Sequence, residues 1–170
     1  MIVLIVGDFG VGKDTVANLF LKNDFIDYSG FEFQKIKSYT TRPKRYDSED
    51  THIFCTKEEF SSLNDIVAQT QINNECYGAR KCQFDKDKIN LYCVDDKGVR
   101  DIEYSNIDKV FVVEVIRPSW LIDLPEDRLN RSRQSQHYKY IPDYIIMNDG
   151  GLDILERTVS ECFNFMKKFL

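Results

Sequence analysis

Apolar and polar positions along the chain follow two patterns, one typical of strands and one typical of helices. Residues 1–6 (MIVLIV) form a continuous apolar run rich in β-branched side chains, which predicts a strand buried on both faces of a parallel sheet. A glycine-rich segment at residues 7–12 interrupts the run, and residues 13–23 then carry apolar side chains on one helical side. The chain is therefore predicted to begin as strand, loop and helix, in that order.

The rest of the chain continues this alternation. Short apolar runs predict strands at residues 36–41, 51–55, 66–72, 75–80, 89–94, 110–116 and 143–147. Helices are predicted from residue 57, over residues 97–104 and over residues 152–170. Strands that alternate with helices imply a parallel sheet with right-handed crossovers. The β-rich residues 36–80 interrupt the alternation and are predicted to form an inserted subdomain.

Composition and net charge argue against several classes of protein. Hydrophobic residues make up 42% and charged residues 30% of the 170 positions, which is typical of one soluble globular domain. The net charge of -5 disfavours a nucleic-acid partner, and the longest apolar run is far too short to cross a bilayer. We therefore expect a cytoplasmic protein, monomeric or homodimeric, that binds neither nucleic acid nor membranes.

The cysteine and histidine positions argue against disulfides and zinc. The five cysteines are odd in number, no C-x-x-C pair occurs, and His52 and His137 are the only histidines. We expect five free thiols.

Residues 7–13 (GDFGVGK) are the first candidate functional segment, because they fit the phosphate-binding pattern G-x-x-x-x-G-K. In this pattern the glycines turn successive backbone N–H groups towards an anion, and the lysine ammonium reaches the β and γ phosphates. The following helix adds the positive end of its dipole. The predicted phosphate-binding residues of this loop are Gly7, Gly10, Val11, Gly12, Lys13, Asp14 and Thr15.

Asp14 departs from the usual pattern, which has a Mg²⁺-binding serine or threonine after the lysine. Two interpretations stand side by side. The Asp14 carboxylate binds Mg²⁺, directly or through water, or it only complements the helix dipole. Thr15 has a similar pair of interpretations, a hydrogen bond to the α-phosphate or a local cap.

A second candidate anion site lies at residues 38–45 (SYTTRPKR), where three cations and several hydroxyls fall within eight residues. Pro43 holds the chain extended, which can turn Arg42 and Arg45 towards one ligand. Guanidinium groups match phosphate oxygens bidentately. Two phosphate sites on one domain suggest transfer between two phosphorylated molecules.

The ordered segments GDFGVGKDT, SYTTRPKR, THIFCTKEEF, CYGAR, VDDKG and DYIIMND resemble the guanylate kinase family over almost the whole chain. The GKDT form of the loop is similar to phage deoxynucleoside monophosphate kinases and to ribose 1,5-bisphosphate phosphokinase. The resemblance implies an α/β fold of the P-loop NTPase type, with helices on both faces of a parallel sheet. It implies a core at about residues 1–35 and 81–170, an acceptor-binding subdomain at about 36–80 and a shortened lid at about 121–142. The implied activity is phosphorylation of a nucleoside monophosphate by ATP with Mg²⁺.

The resemblance also assigns roles by position. The implied acceptor-binding residues are Ser38, Arg42, Arg45, His52, Tyr77 and Asp95. His52 stands where the family has a phosphate-binding tyrosine, and a surface histidine is the alternative. Asp95 matches an acid near the acceptor base or the metal, whereas a turn role is the alternative for Asp95 and its neighbour Asp96. The predicted Mg²⁺ ligands are Asp14 and Asp95.

The implied lid carries Arg128 and Arg131, which are spaced to share one helix face. One or both would neutralise charge on the transferred group, with a solvated basic helix as the alternative. The predicted catalytic residues are Lys13, Arg42, Arg128 and Arg131. Arg117 resembles a position near the adenine edge of ATP or is a cap, and Asn148 borders the adenine or stabilises a turn.

The residues that read guanine in the family are replaced. By position, Ala68 stands for the family's glutamate and Ala79 for its hydroxyl residue, and alanine cannot pair with the edge of guanine. A gapped alignment would bring Glu75 or Gln71 to the glutamate position. Arg80 and Gln69 are candidate replacement readers, with a solvent-facing strand residue as the alternative for each. Two alternatives to a nucleotide acceptor stay open: a ribose bisphosphate acceptor, and a module that binds nucleotide without transferring phosphate.

Overall fold

The computed structural model describes residues 1–22, 30–122 and 140–170. Elements are numbered in chain order over these residues. The strands are β1 Ile2–Val6, β2 Glu32–Lys35, β3 Tyr39–Thr40, β4 Ile53–Phe54, β5 Ile66–Ile72, β6 Glu75–Arg80, β7 Lys88–Cys93, β8 Val110–Ile116 and β9 Tyr144–Met147. The helices are α1 Lys13–Leu21, α2 Lys57–Ser62, α3 Asp96–Ser105 and α4 Leu152–Met166, with 3₁₀ turns at Lys81–Gln83, Ser119–Leu121 and Lys167–Phe169.

The main sheet has five strands in the order β2-β7-β1-β8-β9, and every neighbouring pair is parallel. Strand β1 lies at the centre, and none of its five residues is exposed. This is the arrangement that a continuous apolar strand predicts, because helices cover both faces of a parallel sheet. The predicted α/β fold class is confirmed.

Alternate residues of β1 enter two different cores. Val3 and Ile5 belong to the core that α1 and α4 cover, whereas Leu4 and Val6 belong to the core that α3 covers. The small second sheet adds Val67 to the latter core. Burying one aliphatic side chain of this size stabilises the fold by about 1.5–3 kcal/mol, so both layers anchor the central strand.

The second sheet has the order β4-β3-β6-β5. Strand β3 is parallel to β4 and antiparallel to β6, and β5 is antiparallel to β6. The register shifts between Val67 and Thr70, and Ala68 between them has a φ of 51°. A register shift of this kind is typical of a β-bulge, and it separates Val67, which is in the core, from Thr70 and Ile72, which line a cavity.

Two predictions of local structure were wrong. Residues 36–41 do not form one strand, because the chain leaves the main sheet after Lys35 and enters the second sheet at Tyr39. The last helix ends at Met166 and continues as a 3₁₀ turn rather than reaching Leu170. The strands predicted at residues 66–72, 75–80 and 110–116 were confirmed.

Most of the predicted lid lies outside the described residues, including Arg128 and Arg131. Among the helices in the described part, none has the length and apolar character needed to cross a membrane. The five cysteines are free.

Candidate functional site

The glycine-rich loop and the basic segment border one cavity of about 420 Å³. The loop joins β1 to α1, and the basic segment contains β3. Strands β2, β7 and β1 are parallel neighbours, so their carboxyl ends meet at the edge of the sheet where the loop lies. The fold therefore brings together the two segments that the sequence separately predicts to bind phosphate.

Glycine is required at two positions of the loop. Gly7 has a φ of 143°, and a Cβ there would lie 2.3 Å from the carbonyl oxygen of Val115. Gly12 has a φ of 101°, and a Cβ there would lie 2.6 Å from Nδ2 of Asn148. Any side chain at either position would displace the backbone or its neighbour. The structure thus gives a steric reason for the glycine pattern.

The other loop residues divide between the core and the cavity. Gly10 also has a positive φ, of 80°, and lines the cavity. Val11 is buried in the core beneath the loop. Thr15 is exposed and lines the cavity from the first turn of α1.

The Lys13 ammonium lies across the loop. Its Nζ donates hydrogen bonds to the carbonyl oxygens of Gly7, at 2.7 Å, and Asp8, at 2.8 Å. Burial lowers the pKa of Lys13, while the carboxylates of Asp14, Asp8 and Asp95 act in the opposite direction. The loop therefore holds a cation where the pattern predicts contact with the phosphates.

Asp14 is paired with a residue that the sequence analysis missed. Lys35, the last residue of β2, donates from Nζ to Oδ1 of Asp14 at 2.8 Å and to Oδ1 of Asn18 at 3.3 Å. The Asp14 side chain is 73% exposed, whereas that of Lys35 is 21% exposed. Lys35 escaped prediction because its partners lie in another element, 17 and 21 positions earlier in the chain.

Arg42 is held by a buried carboxylate. Its two terminal nitrogens reach the two carboxylate oxygens of Glu49, at 2.8 and 3.1 Å. Arg42 is 6% and Glu49 is 1% exposed. The hydrogen bonds from Arg42 hold the pKa of Glu49 far below the ordinary carboxyl value, and Glu49 in turn raises the pKa of Arg42. Both groups stay charged at neutral pH.

Glu49 also fixes the chain around the basic segment. It accepts hydrogen bonds from the backbone N–H of Arg45, at 2.7 Å, and from the hydroxyl of Thr51, at 3.0 Å. The guanidinium of Arg45 lies 3.9 Å from Glu49 and is 46% exposed. Arg45 therefore presents its cation to the cavity edge, while Glu49 is a positioning residue. Glu49 was not predicted from the sequence, although a carboxylate four residues after the basic segment would have been a usable signal.

His52 and Tyr77 form one wall of the cavity. Their ring centroids are 5.9 Å apart, and Nδ1 of His52 lies 2.9 Å from the hydroxyl of Thr51. Burial and the nearby Arg42 lower the pKa of His52 from its ordinary value of 6.5, so the imidazole is neutral at pH 7. A neutral imidazole can still donate one hydrogen bond to an anion.

The Ser38 hydroxyl contacts a residue of the core. It lies 3.0 Å from the hydroxyl of Tyr92, a core residue of β7 that also lines the cavity. Burial raises the pKa of Tyr92, so the phenol stays protonated. Tyr92 was also not predicted from the sequence, because a tyrosine within an apolar strand indicates only core packing.

Asp95 caps a helix. Its carboxylate accepts a hydrogen bond from the N–H of Gly98 at 2.7 Å, at the start of α3. This is the turn role that the sequence left open, and Asp95 also lines the cavity.

The donor set of the cavity fits Mg²⁺. Carboxylates from Asp8, Asp14, Asp95 and Asp96 line it, and Mg²⁺ prefers oxygen ligands. Over the residues described, no three metal-ligating side chains are close enough together to hold an ion by themselves. Mg²⁺ in kinase sites usually takes one or two carboxylates together with water and substrate phosphates, so a preformed cage is not expected.

A second cavity, of about 460 Å³, lies on the other side of the loop. Arg117 and Asn148 line it together with Gly10 and Gly12. Arg117 donates from Nε to the carbonyl oxygen of Leu121 at 3.1 Å, which is a capping contact. The amide of Asn148 donates to the carbonyl oxygen of Val11 at 2.7 Å. Asn148 therefore braces the loop and borders the cavity at once.

The wall contributed by β5 is mostly apolar. Ala68, Thr70 and Ile72 line the first cavity there. Three of the four candidate base readers have side-chain contacts elsewhere: the Glu75 carboxylate accepts from Thr41, the Gln71 amide donates to Asn74, and Arg80 donates to the backbone carbonyl of Asn64. At Gln69 the backbone carbonyl oxygen accepts from Lys97. Within the described chain, none of the four lines this cavity.

Comparison with known proteins finds similarity in structure and not in sequence. No protein-family model and no curated protein sequence matches the chain. The guanylate kinase from Anaplasma phagocytophilum has a similar structure, with a TM-score of 0.63 and 17% identity over 99% of this chain and 85% of that one. A sugar kinase from Janibacter sp. HTCC2649 aligns with a TM-score of 0.49 and 14% identity, over 98% of this chain and 94% of that one. At this level of identity the comparison shows the fold, and the chain has the α/β fold seen in guanylate kinase.

Proposed function

We propose that the protein is a phosphotransferase that moves the γ-phosphoryl group of ATP to the phosphate of a nucleoside or deoxynucleoside monophosphate. One observation carries the proposal: Lys13 of the glycine-rich loop and Arg42 of the basic segment border the same cavity. A donor phosphate at Lys13 and an acceptor phosphate at the basic segment would then meet within one site.

The donor binds through the glycine-rich loop in this proposal. Backbone N–H groups of the loop and the N-terminus of α1 surround the phosphates, and Lys13 contacts the β and γ groups. The adenosine extends into the second cavity, beside Arg117 and Asn148. Asp14 and Asp95 would hold Mg²⁺ together with the phosphates, and the ion would supply charge neutralisation there.

The acceptor binds through the basic segment. Arg42 and Arg45 bind its phosphate, while Ser38, His52 and Tyr77 add neutral hydrogen-bond donors. Arg42 is already oriented by Glu49, so less side-chain entropy is lost when the acceptor binds.

The chemical step needs little from the protein beyond alignment. An acceptor phosphate oxygen forms a bond to the γ phosphorus, the bond from that phosphorus to the β–γ bridging oxygen breaks, and ADP leaves with the electron pair. No general base is required, because the acceptor oxygen is already ionised. Lys13, Arg42 and the predicted lid residues Arg128 and Arg131 offset repulsion between the two anions.

A second acceptor class is favoured by the wall of β5. Ala68 and Ile72 offer no hydrogen bonds to a base, and Thr70 offers one hydroxyl. A ribose bisphosphate would use the phosphate-binding residues without needing base recognition. This makes a phosphorylated sugar the alternative acceptor.

The test is ADP release from ATP with Mg²⁺ against a panel of acceptors. The panel holds the ribonucleotides GMP, AMP, CMP and UMP, the deoxynucleotides dGMP, dAMP, dCMP and dTMP, and ribose 1,5-bisphosphate. Turnover with a nucleotide supports the first proposal, and turnover with the sugar alone moves the protein to the second. If ATP binds but no acceptor increases ADP release, the protein is a nucleotide-binding module and both proposals are wrong.

A further inference from the structure

Lys35 is a cation of the site that neither phosphate-binding pattern includes. It ends β2, an edge strand of the main sheet, and lines the same cavity as Lys13 and Arg42. Strand β2 lies two strands away from β1, or about 10 Å at the usual strand spacing. Helix α1 lies over this gap and contacts β1, β7 and β2, so the Lys35 ammonium reaches Asp14 in the first turn of α1.

We propose that Lys35 binds a phosphate group of the nucleotide at the junction of the two segments, and that Asp14 is the residue that positions it. The inference rests on the proposed function, since it adds a residue to that same site.

Two acceptors on α1 hold the Lys35 ammonium in place. Asp14 and Asn18 lie one turn apart on α1 and both accept from Nζ of Lys35. An ammonium has three donors, and these two contacts occupy two of them. The third is left for a ligand in the cavity, and the side chain loses little freedom when it binds one because two acceptors already hold it.

The Lys35 ammonium also offsets a negative charge beside the glycine-rich loop. Asp14 stands directly after Lys13, so its carboxylate would repel a polyphosphate at the loop. Lys35 offsets that charge where it arises. Burial and Asp14 raise the pKa of the Cys93 thiol at the end of β7, and both Lys35 and Lys13 oppose that rise, so both ammonium groups lie near one region of the site.

A purely structural ion pair is the competing explanation. Lys35 joins the edge strand to α1, and a pair with a largely exposed partner contributes little to stability. The two explanations differ in what they predict. A structural pair would leave phosphate affinity unchanged and would alter the free energy of unfolding only slightly. A phosphate-binding residue would lower the phosphate affinity clearly when it is removed.

The experiment compares Lys35→Gln with Lys37→Gln. Lys37 is a matched control, because it lies two residues away and also forms an ion pair, with Asp50. Binding of inorganic tripolyphosphate and of ATP with Mg²⁺ is measured by calorimetry, and folding is checked by denaturant unfolding. We expect Lys35→Gln to weaken both ligands about tenfold or more, as loss of a charge-assisted hydrogen bond does. Lys37→Gln should stay within about twofold of wild type. Equal affinities for wild type and Lys35→Gln would overturn the inference.

The double variant Lys35→Gln/Asp14→Asn separates contact from neutralisation. The comparison uses tripolyphosphate without Mg²⁺ and takes Asp14→Asn as the reference. If Lys35 contacts phosphate, Lys35→Gln still weakens binding in the Asp14→Asn background. If Lys35 only neutralises Asp14, Lys35→Gln has no effect in that background, and the inference is wrong. A different result would overturn the proposed function. A wild-type protein that binds tripolyphosphate in a Lys35-dependent manner but phosphorylates no acceptor overturns the proposed transfer and leaves the phosphate contact standing.

Discussion

Arg42 and Glu49 form a two-point ion pair, with nitrogen–oxygen distances of 2.8 and 3.1 Å. Both side chains are almost completely buried. The pair sets the plane of the guanidinium before any anion arrives, which favours bidentate recognition of phosphate. A buried charge of this kind depends on its partner, so the pair links the folding of the basic segment to its proposed use.

Replacing Glu49 by glutamine should destabilise the protein by about 3 kcal/mol, because Arg42 would be left buried without its carboxylate. The free energy of unfolding, measured by urea denaturation at pH 7, checks this value. Asp50→Asn is the control, since Asp50 is the next residue and forms only an exposed pair with Lys37. Equal losses in the two variants would contradict the role given to Glu49.

The stability that Glu49 contributes should depend on pH. Hydrogen bonds from Arg42 lower the folded-state pKa of Glu49 below the ordinary value of 4.5. A carboxyl group with a depressed pKa contributes fully above its unfolded-state pKa and loses its contribution as the pH falls below it. The difference in unfolding free energy between wild type and Glu49→Gln should therefore be constant from about pH 6 to 8, begin to shrink below about pH 5, and go on shrinking as the pH falls towards the folded-state pKa. A difference that does not change with pH would contradict this linkage.

Much of the fold could be predicted from hydrophobic pattern alone. Strands β1, β5, β6 and β8 are buried or alternating runs with clear ends, and the predicted positions agree with the structure. The strand predicted at residues 36–41 failed for a physical reason. Strand propensity does not say which sheet a residue joins, and here the chain crosses from one sheet to another between Lys35 and Tyr39.

The site was predictable where its residues follow one another in sequence. The loop at residues 7–13 and the segment at 38–45 are both of this kind, and they line one cavity. Lys35 and Tyr92 were not predicted, because their contacts with Asp14 and Ser38 join different elements. Such pairs have no periodicity, so only the folded chain brings them together.

Gly12→Ala should weaken ATP binding more than ten-fold, because a Cβ there would lie 2.6 Å from the Asn148 amide that braces the loop. Gly30→Ala is the matched control. Gly30 also has a positive φ, of 70°, but a Cβ there would meet no atom within 4 Å. Calorimetric titration with ATP and Mg²⁺ compares the two variants. If both bind like wild type, the steric argument for the loop fails.

Tyr92→Phe should raise the KM for the acceptor and leave kcat almost unchanged. The substitution removes the hydroxyl that lies 3.0 Å from Ser38, so Ser38 is no longer held facing the acceptor phosphate. Loss of one such hydrogen bond costs about 1 kcal/mol. Steady-state kinetics measure the change, with Tyr104→Phe as the control because Tyr104 is 79% exposed. A fall in kcat with an unchanged KM would argue against this role for Tyr92.

The central claim is that the glycine-rich loop and the basic segment act on one phosphoryl transfer. The most direct measurement follows a labelled γ-phosphoryl group from ATP into the nucleoside monophosphate, for wild type, Lys13→Ala and Arg42→Lys. We predict transfer by wild type, a fall of at least about 10²-fold in Lys13→Ala, and a raised KM for the acceptor in Arg42→Lys because the bidentate contact is lost. Wild-type transfer rates in folded Lys13→Ala, or no labelled product from wild type with any acceptor, would contradict the claim.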